Sequence, residues 1–146
     1  MTTPLHVLLV ARPDVQAAPL EAELRRRGLA PRFESVSTKA EFLRALDLDL
    51  DLILASLDVP RFPIADALRL LQARGYDLPV IALVDPALEP DGAEAMRLGA
   101  HDYVLTDHLL RLGPAAVAAL EHRRLQQIER LSSAKPVPAE PLFQTW

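Results

Sequence analysis

Five short apolar runs alternate along this chain with segments whose apolar residues recur at helical spacing. The runs cover residues 5–11, 31–36, 50–56, 79–84 and 102–105, and the helical segments cover 15–28, 38–46, 63–74, 90–98 and 114–131. Strands that are apolar at nearly every position are typical of parallel sheets covered by helices on both faces. Asp14 is the expected N-cap of the first helix, and Gly28, Gly75 and Gly99 end three of the helices. The alternation predicts an α/β fold, a doubly wound parallel sheet of five strands with five helices.

Length and composition indicate one domain without disulfides. Half of the 146 residues are apolar, so a single core can bury roughly two thirds of the unfolded surface. The chain has no cysteine, which excludes disulfides and thiolate chemistry and fits a cytoplasmic location. The net charge is −4 and the basic residues are scattered, apart from Arg25-Arg26-Arg27 and Arg123-Arg124, which predicts no nucleic-acid partner. With no targeting segment and no run of about 20 apolar residues, we expect no membrane partner.

The sequence divides into one domain and a proline-rich end. Residues 1–131 carry the alternating pattern, whereas residues 132–146 contain three prolines and have the composition of a linker or tail. Leu142, Phe143 and Trp146 are unusual for a solvated linker. They leave three alternatives open: packing on the domain, docking on a partner, or the beginning of a further C-terminal module, which we favour slightly.

The third apolar run and the segments after it carry a specific resemblance. The three segments read Asp51-Leu-Ile-Leu-Ala-Ser56-Leu-Asp58-Val-Pro60, Pro79-Val-Ile-Ala-Leu and Glu94-Ala-Met-Arg-Leu-Gly-Ala-His-Asp-Tyr103. In this order and at these separations they resemble the response-regulator receiver domains of bacterial two-component phosphorelay signalling, over residues 4–131. The resemblance implies a flavodoxin-like sheet with the strand order 2-1-3-4-5. The run that begins at Gly113 resembles the last helix of receivers fused to sensor kinases.

The positions that correspond to the receiver phosphorylation site lack the chemistry of that site. A working receiver has a carboxylate pair after strand one, an aspartate after strand three, a hydroxyl after strand four and a lysine after strand five. The corresponding residues here are Ala11 and Arg12, Ser56, Val84 and Thr106. Magnesium needs oxygen ligands, and an acyl phosphate needs a carboxylate nucleophile. We therefore predict a degenerate pseudo-receiver with no metal, no cofactor and no enzymatic activity.

Charged residues near the same strand ends leave several alternatives. We expect Arg12 to fill the vacated pocket and to pair with Asp58 or Asp85, with a solvated loop position as the alternative. A displaced metal site made of Asp14, Asp58 and Asp85 is less favoured, because aspartates beside strand ends are more often caps or loop residues. We expect Ser56 to close a buried strand, and its phosphorylation by another kinase is the alternative.

Tyr103 occupies the position of the aromatic that couples the phosphorylation site of receivers to their output face. That aromatic moves inward when the hydroxyl after strand four is drawn toward the phosphoryl group. Because Val84 has no hydroxyl, we expect Tyr103 to pack on strand five and not to act as a switch. The four histidines of the chain lack the paired spacing of a zinc ligand set.

The last helix carries an apolar stripe that continues beyond the length needed to cover the sheet. The stripe is formed by Val117, Leu120, Leu125, Ile128 and Leu131, and its spacing only loosely approaches a heptad. We expect its first half to cover the core, and we predict that Leu125, Ile128 and Leu131 pair with a second copy in a homodimer. The face formed by helix four, strand five and helix five is the alternative dimer surface.

The sequence leaves three functional interpretations open. The leading interpretation is a phosphorylation-independent protein–protein interaction or dimerisation module, which binds a signalling protein or serves a fused output or sensor module. The alternative is a receiver-fold sensor that binds a small anion or a nucleotide at Arg12 and the strand-end backbone. The absence of a glycine-rich phosphate loop counts against nucleotides, and it also disfavours the third interpretation, an enzyme of flavodoxin-like fold.

Overall fold

The structure is a computed structural model that describes residues 3–134. Strands and helices alternate in it as β1 Thr3–Val10, α1 Ala18–Arg26, β2 Leu29–Val36, α2 Lys39–Ala45, β3 Leu52–Ser56, α3 Ile64–Ala73, β4 Val80–Val84, α4 Glu89–Arg97, β5 Asp102–Leu105 and α5 Leu112–Ala134. Short 3-10 helices at Pro86–Leu88 and Leu109–Arg111 precede α4 and α5. Neighbouring strands are parallel, in the order β2-β1-β3-β4-β5. The prediction of a doubly wound, flavodoxin-like sheet of five strands with five helices is confirmed.

The helices cover both faces of the sheet. β3 and β4 are buried at every position, which explains why their sequences are almost continuously apolar. The core on one face includes Phe42 of α2, Leu68 of α3 and Ala95 of α4. The core on the other face includes Leu24 of α1 and Ala116 of α5. Because the five strands run in the same direction, their carboxyl ends meet at one edge of the sheet.

The first helix begins later than predicted. Asp14 lies in a turn in which the amide of Val15 donates to the carbonyl of Arg12 at 3.0 Å, and α1 begins at Ala18. A helix that began at Val15 would place Pro19 in its second turn, where the ring has no N–H for the carbonyl of Val15. A start at Ala18 puts Pro19 in the first turn, where that N–H is not needed. The prediction of Asp14 as the N-cap was therefore wrong.

The last helix is longer than predicted. α5 covers Leu112–Ala134 instead of 114–131, so the first three residues of the predicted linker 132–146 are helical. The rest of that segment, including Leu142, Phe143 and Trp146, lies outside the described residues. Among residues 3–134, no helix is long and apolar enough to cross a membrane.

Candidate functional site

A pocket of about 290 Å³ opens at the carboxyl edge of the sheet, and we call it the strand-end pocket. Apolar side chains make up much of its wall, and charged or polar groups lie among them. The lining consists of Arg12, Val15, Gln16, Pro19, Leu20, Ser56, Leu57, Asp58, Leu83, Asp85, Leu88, Thr106 and Leu109. The segment between β1 and α1 contributes three of these residues because α1 begins late. Pockets of this type bind small molecules when a few polar groups fix the orientation of an apolar ligand.

The five positions that sequence analysis assigned to this region lie at the carboxyl ends of four strands. Arg12, Ser56 and Thr106 line the strand-end pocket. Ser56 is the last residue of β3 and only 8% of it is exposed. Ala11 and Val84 are buried, and neither is part of the pocket lining. The pocket therefore presents a guanidinium and two hydroxyls at these positions, and no carboxylate.

The guanidinium of Arg12 lies between two carboxylates. Its Nη2 is 3.5 Å from Oδ2 of Asp58, and its Nε is 3.6 Å from Oδ1 of Asp14. Asp85 has another role: its Oδ1 accepts a hydrogen bond of 2.9 Å from the amide of Ala87 and caps the short 3-10 helix before α4. The side chains of Arg12 and Asp58 are each nearly half exposed, so their attraction is weakened by water. Asp14, and not Asp85, is thus the second neighbour of the cation.

The residues at this edge do not fit a magnesium ion. Magnesium favours near-octahedral oxygen coordination by carboxylates and water. A working receiver has a carboxylate pair after β1. This chain has the buried methyl group of Ala11 and the cation of Arg12 at those positions. Within residues 3–134 there is no group of three or more His, Cys, Asp or Glu side chains that could hold a metal ion. Asp14 and Asp58 instead lie on either side of the Arg12 guanidinium, and Asp85 caps a 3-10 helix.

Comparisons with known proteins relate this chain to solved structures only. No protein-family model matches the chain, and no curated protein does. Full-length FixJ from B. japonicum matches with a TM-score of 0.71 and 21% identity over 84% of this chain, which spans 60% of the FixJ chain. The receiver domain of a putative Luxo repressor protein from Vibrio parahaemolyticus matches with a TM-score of 0.72 and 17% identity, over 86% of this chain and 96% of that chain.

A third match is the receiver domain of the sensor histidine kinase PA1611 from Pseudomonas aeruginosa. Its TM-score is 0.63 and its identity 24%, over 82% of this chain and 99% of that chain. This chain has the fold of a receiver domain. The PA1611 structure holds a magnesium ion in its active-site cleft.

In this receiver fold, Tyr103 on β5 packs against α4. Its hydroxyl donates a hydrogen bond of 3.0 Å to Oε2 of Glu89, and this bond raises the pKa of Tyr103. A Cβ added to Gly92 would lie 3.0 Å from Cδ2 of Tyr103 and 3.1 Å from Cγ2 of Val84. The absence of a side chain at Gly92 thus lets α4 lie directly on the tyrosine ring and on the end of β4.

The exposed side of α5 forms a second candidate surface of the receiver fold. Four exposed apolar residues lie along it, and we call them the outer stripe: Val117, Leu125, Ile128 and Leu131. Leu120, which the sequence pattern grouped with them, is partly buried against the core. Where the buried alanines of α5 end, the positions that continue the inward face are Arg123, Gln126 and Arg130. The apolar side of α5 therefore changes from the inside to the outside half-way along the helix.

A groove at the opposite edge of the sheet was missed by sequence reasoning. It has a volume of about 520 Å³, and we call it the basal groove. Its polar lining includes Asp77 before β4, His101 before β5, and His122, Arg123 and Arg130 on α5. These residues are far apart in the sequence, and each is individually typical of a solvated surface. The sequence feature that comes closest to indicating this groove is the pair of basic residues Arg123 and Arg130, which lie on the inward face of α5.

Proposed function

We propose that this chain is a degenerate receiver domain of two-component signal transduction that acts without phosphorylation as a protein–protein interaction and dimerisation module. It is expected to be cytoplasmic and to have no enzymatic activity. The observation that carries the proposal is the hydroxyl of Ser56 at the end of β3, where an acyl phosphate would need a carboxylate. The loss of acidic side chains at Ala11 and Arg12 supports the same conclusion for magnesium.

The surroundings of Ser56 do not favour its use as an alternative nucleophile. A serine hydroxyl needs a general base within hydrogen-bonding reach. Two carboxylates line the same pocket, but Asp58 lies beside Arg12 and Asp85 caps a 3-10 helix through the amide of Ala87. Both carboxylates are therefore engaged with other groups, and the pocket supplies no activated base for Ser56.

Intact-protein mass spectrometry after incubation with acetyl phosphate and magnesium tests the loss of phosphorylation. We expect no adduct on the wild-type chain, because the carboxylate nucleophile and the metal ligands are missing. A variant that restores all five positions, Ala11→Asp, Arg12→Asp, Ser56→Asp, Val84→Thr and Thr106→Lys, serves as the matched control. A phosphate adduct on this variant alone would identify the altered positions as the cause. One acid-labile phosphate on each wild-type molecule would contradict the proposal.

The outer stripe supports the dimerisation part of the proposal. Leu125, Ile128 and Leu131 are 52%, 48% and 71% exposed, at near-helical spacing on one side of α5. Exposed apolar side chains grouped in this way usually mark a contact surface. Pairing of two α5 helices would remove them from water without disturbing the inward face, which is held by Arg123 and Arg130. The α4–β5–α5 face is the competing surface for the same role.

Sedimentation equilibrium at tens of micromolar tests the dimer. We expect a wild-type dimer and a monomeric Leu125→Glu, Ile128→Glu double variant, because two buried carboxylates would oppose pairing of the helices. Leu110→Glu is the matched control, since Leu110 is 65% exposed and lies outside α5. A monomeric wild type, or a dimer that survives the double substitution, would exclude the outer stripe.

The neighbours in the structure comparison indicate the kind of partner to expect. This chain spans 60% of full-length FixJ, and the PA1611 receiver comes from a sensor histidine kinase. We therefore propose a signalling protein, or a fused output or sensor module, as the partner. The alternative function, an anion sensor at the strand-end pocket, has less support because Arg12 already lies beside Asp14 and Asp58.

A further inference from the structure

The wall of the strand-end pocket is largely apolar, and part of that apolar surface is open to water. Leu57 follows β3 directly, whereas Leu88 and Leu109 belong to the two short 3-10 helices that precede α4 and α5. None of these three leucines is fully buried. The other apolar lining residues are Val15, Pro19, Leu20 and Leu83. Apolar surface inside a cavity favours a ligand that removes it from water.

The charged groups of this pocket are already engaged with one another or with the backbone. The guanidinium of Arg12 lies 3.5 Å from Asp58 and 3.6 Å from Asp14, and Asp85 accepts the amide of Ala87 at 2.9 Å. Within residues 3–134 the lining holds one guanidinium and two carboxylates, so it offers no excess of positive charge. A cation would have to displace an existing ion pair or hydrogen bond. A ligand without a net charge competes with none of these contacts.

Three neutral polar side chains complete the lining. They are Gln16 before α1, Ser56 at the end of β3 and Thr106 after β5. Hydroxyl and amide groups can both donate and accept hydrogen bonds. Ser56 is only 8% exposed, so a hydrogen bond to its hydroxyl would be shielded from water. These groups suit a ligand that carries one hydroxyl or carbonyl group.

We propose that the strand-end pocket binds a small, neutral organic molecule with an apolar body and one hydroxyl or carbonyl group. The apolar body packs against Leu57, Leu88 and Leu109, and the polar group forms a hydrogen bond with Ser56 or Thr106. The volume of about 290 Å³ lies just below the usual range of about 300–1,000 Å³ for small-molecule pockets, which indicates a ligand of one or two rings. This binding site goes beyond the proposed interaction role, and it does not require the dimer because the outer stripe is not part of the pocket lining.

Amide chemical shifts of the full isotope-labelled chain test this site, with 2-naphthylmethanol, 2-naphthoate and 2-naphthylmethylamine as neutral, anionic and cationic probes of similar shape. We expect saturable shifts at Val15, Leu57 and Leu109 with the alcohol. It should bind roughly tenfold more tightly than either charged probe, because a charged group loses hydration when it enters an apolar pocket. No saturation by the alcohol at these amides, or equal or tighter binding of a charged probe, would overturn the proposal. Phosphorylation and dimerisation are measured separately, so such a result would leave the proposed function unaffected.

Variants locate the binding to the strand-end pocket. We expect Leu88→Asn to weaken binding of 2-naphthylmethanol roughly tenfold, because it removes apolar contact area. Leu98→Asn is the matched control, since Leu98 is 37% exposed, Leu88 is 36% exposed, and only Leu88 lines the pocket. A Ser56→Ala, Thr106→Val double variant should weaken binding roughly threefold or more, because both hydroxyls are lost. Unchanged affinity in either pocket variant, or an equal loss in the control, would overturn the site.

Discussion

At the scale of single residues, Gly92 decides how closely α4 approaches the sheet. A side chain at this position would meet the ring of Tyr103 and the buried methyl groups of Val84. We expect Gly92→Leu to lower the free energy of unfolding by about 1–3 kcal/mol, because overpacking forces neighbouring side chains to move. Urea unfolding measures the loss. Ala93→Leu is the control on the exposed side of the same helix, and a change within about 0.5 kcal/mol is expected for it.

Arg12 gives a second prediction at this scale. Its ion pairs with Asp14 and Asp58 are about half exposed, so we expect Arg12→Ala to change the free energy of unfolding by only about 0–1 kcal/mol. The effect should shrink in high salt, which screens exposed charges. Urea unfolding at low and high salt checks both expectations. A loss well above this range, unaffected by salt, would mean that Arg12 is buried in solution.

At the scale of elements, the contact between α5 and the loop before β5 contains a pair of histidines. The ring centroids of His101 and His122 lie 5.2 Å apart. Burial lowers the pKa of His101 below its ordinary value of 6.5, and the neighbouring His122 lowers it further, although Asp102 raises it. The folded state therefore binds the proton of His101 less readily than the unfolded state does.

The sign of the pH effect follows from this difference. The stabilising effect of a neutral His101 is complete above the unfolded pKa of 6.5, declines as the pH falls through 6.5, and is lost below the folded pKa. We expect the free energy of unfolding to fall with pH in this window, and His101→Gln to reduce the slope. His108→Gln is the control, because His108 is exposed at the far end of β5. Urea unfolding between pH 5 and pH 8 measures the slopes, and identical slopes in wild type and His101→Gln would contradict the prediction.

The elements also show where sequence reasoning succeeds. Buried strands were predictable because a parallel strand covered on both faces must be apolar throughout, as in β3 and β4. Asp102–Leu105 was predicted with its observed ends. The start of α1 was not predictable from an N-cap residue alone, because Pro19 excludes a helix that begins at Val15. Leu120 packs against the core as expected for the first half of the apolar stripe, but Val117 is exposed, because spacing alone does not tell which side of a helix faces the core.

At the scale of the whole molecule, the fold was more predictable than the sites. The resemblance to receiver domains predicted the strand order, which the structure has. It also predicted which residues lie at the strand ends, and Arg12, Ser56 and Thr106 do line one pocket. The basal groove could not be predicted, because Asp77 and Arg130 are 53 residues apart and no motif links them. Such a site depends on the packing of a helix against loops, which a pattern of residues along the chain does not encode.

The apolar side of α5 faces the core in the first half of the helix and the outside in the second half, and this change affects how the helix resists force. The N-terminal half of the helix is held by the apolar contacts of Ala115, Ala116 and Ala119, whereas its C-terminal half is held by the ion pairs of Arg123 and Arg130. A force applied to the C-terminal end of α5 would therefore break the salt-sensitive ion pairs first and the apolar contacts of the buried alanines only afterwards. The helix would peel away from the sheet in two steps, and an intermediate with a detached C-terminal half would leave the five strands in place.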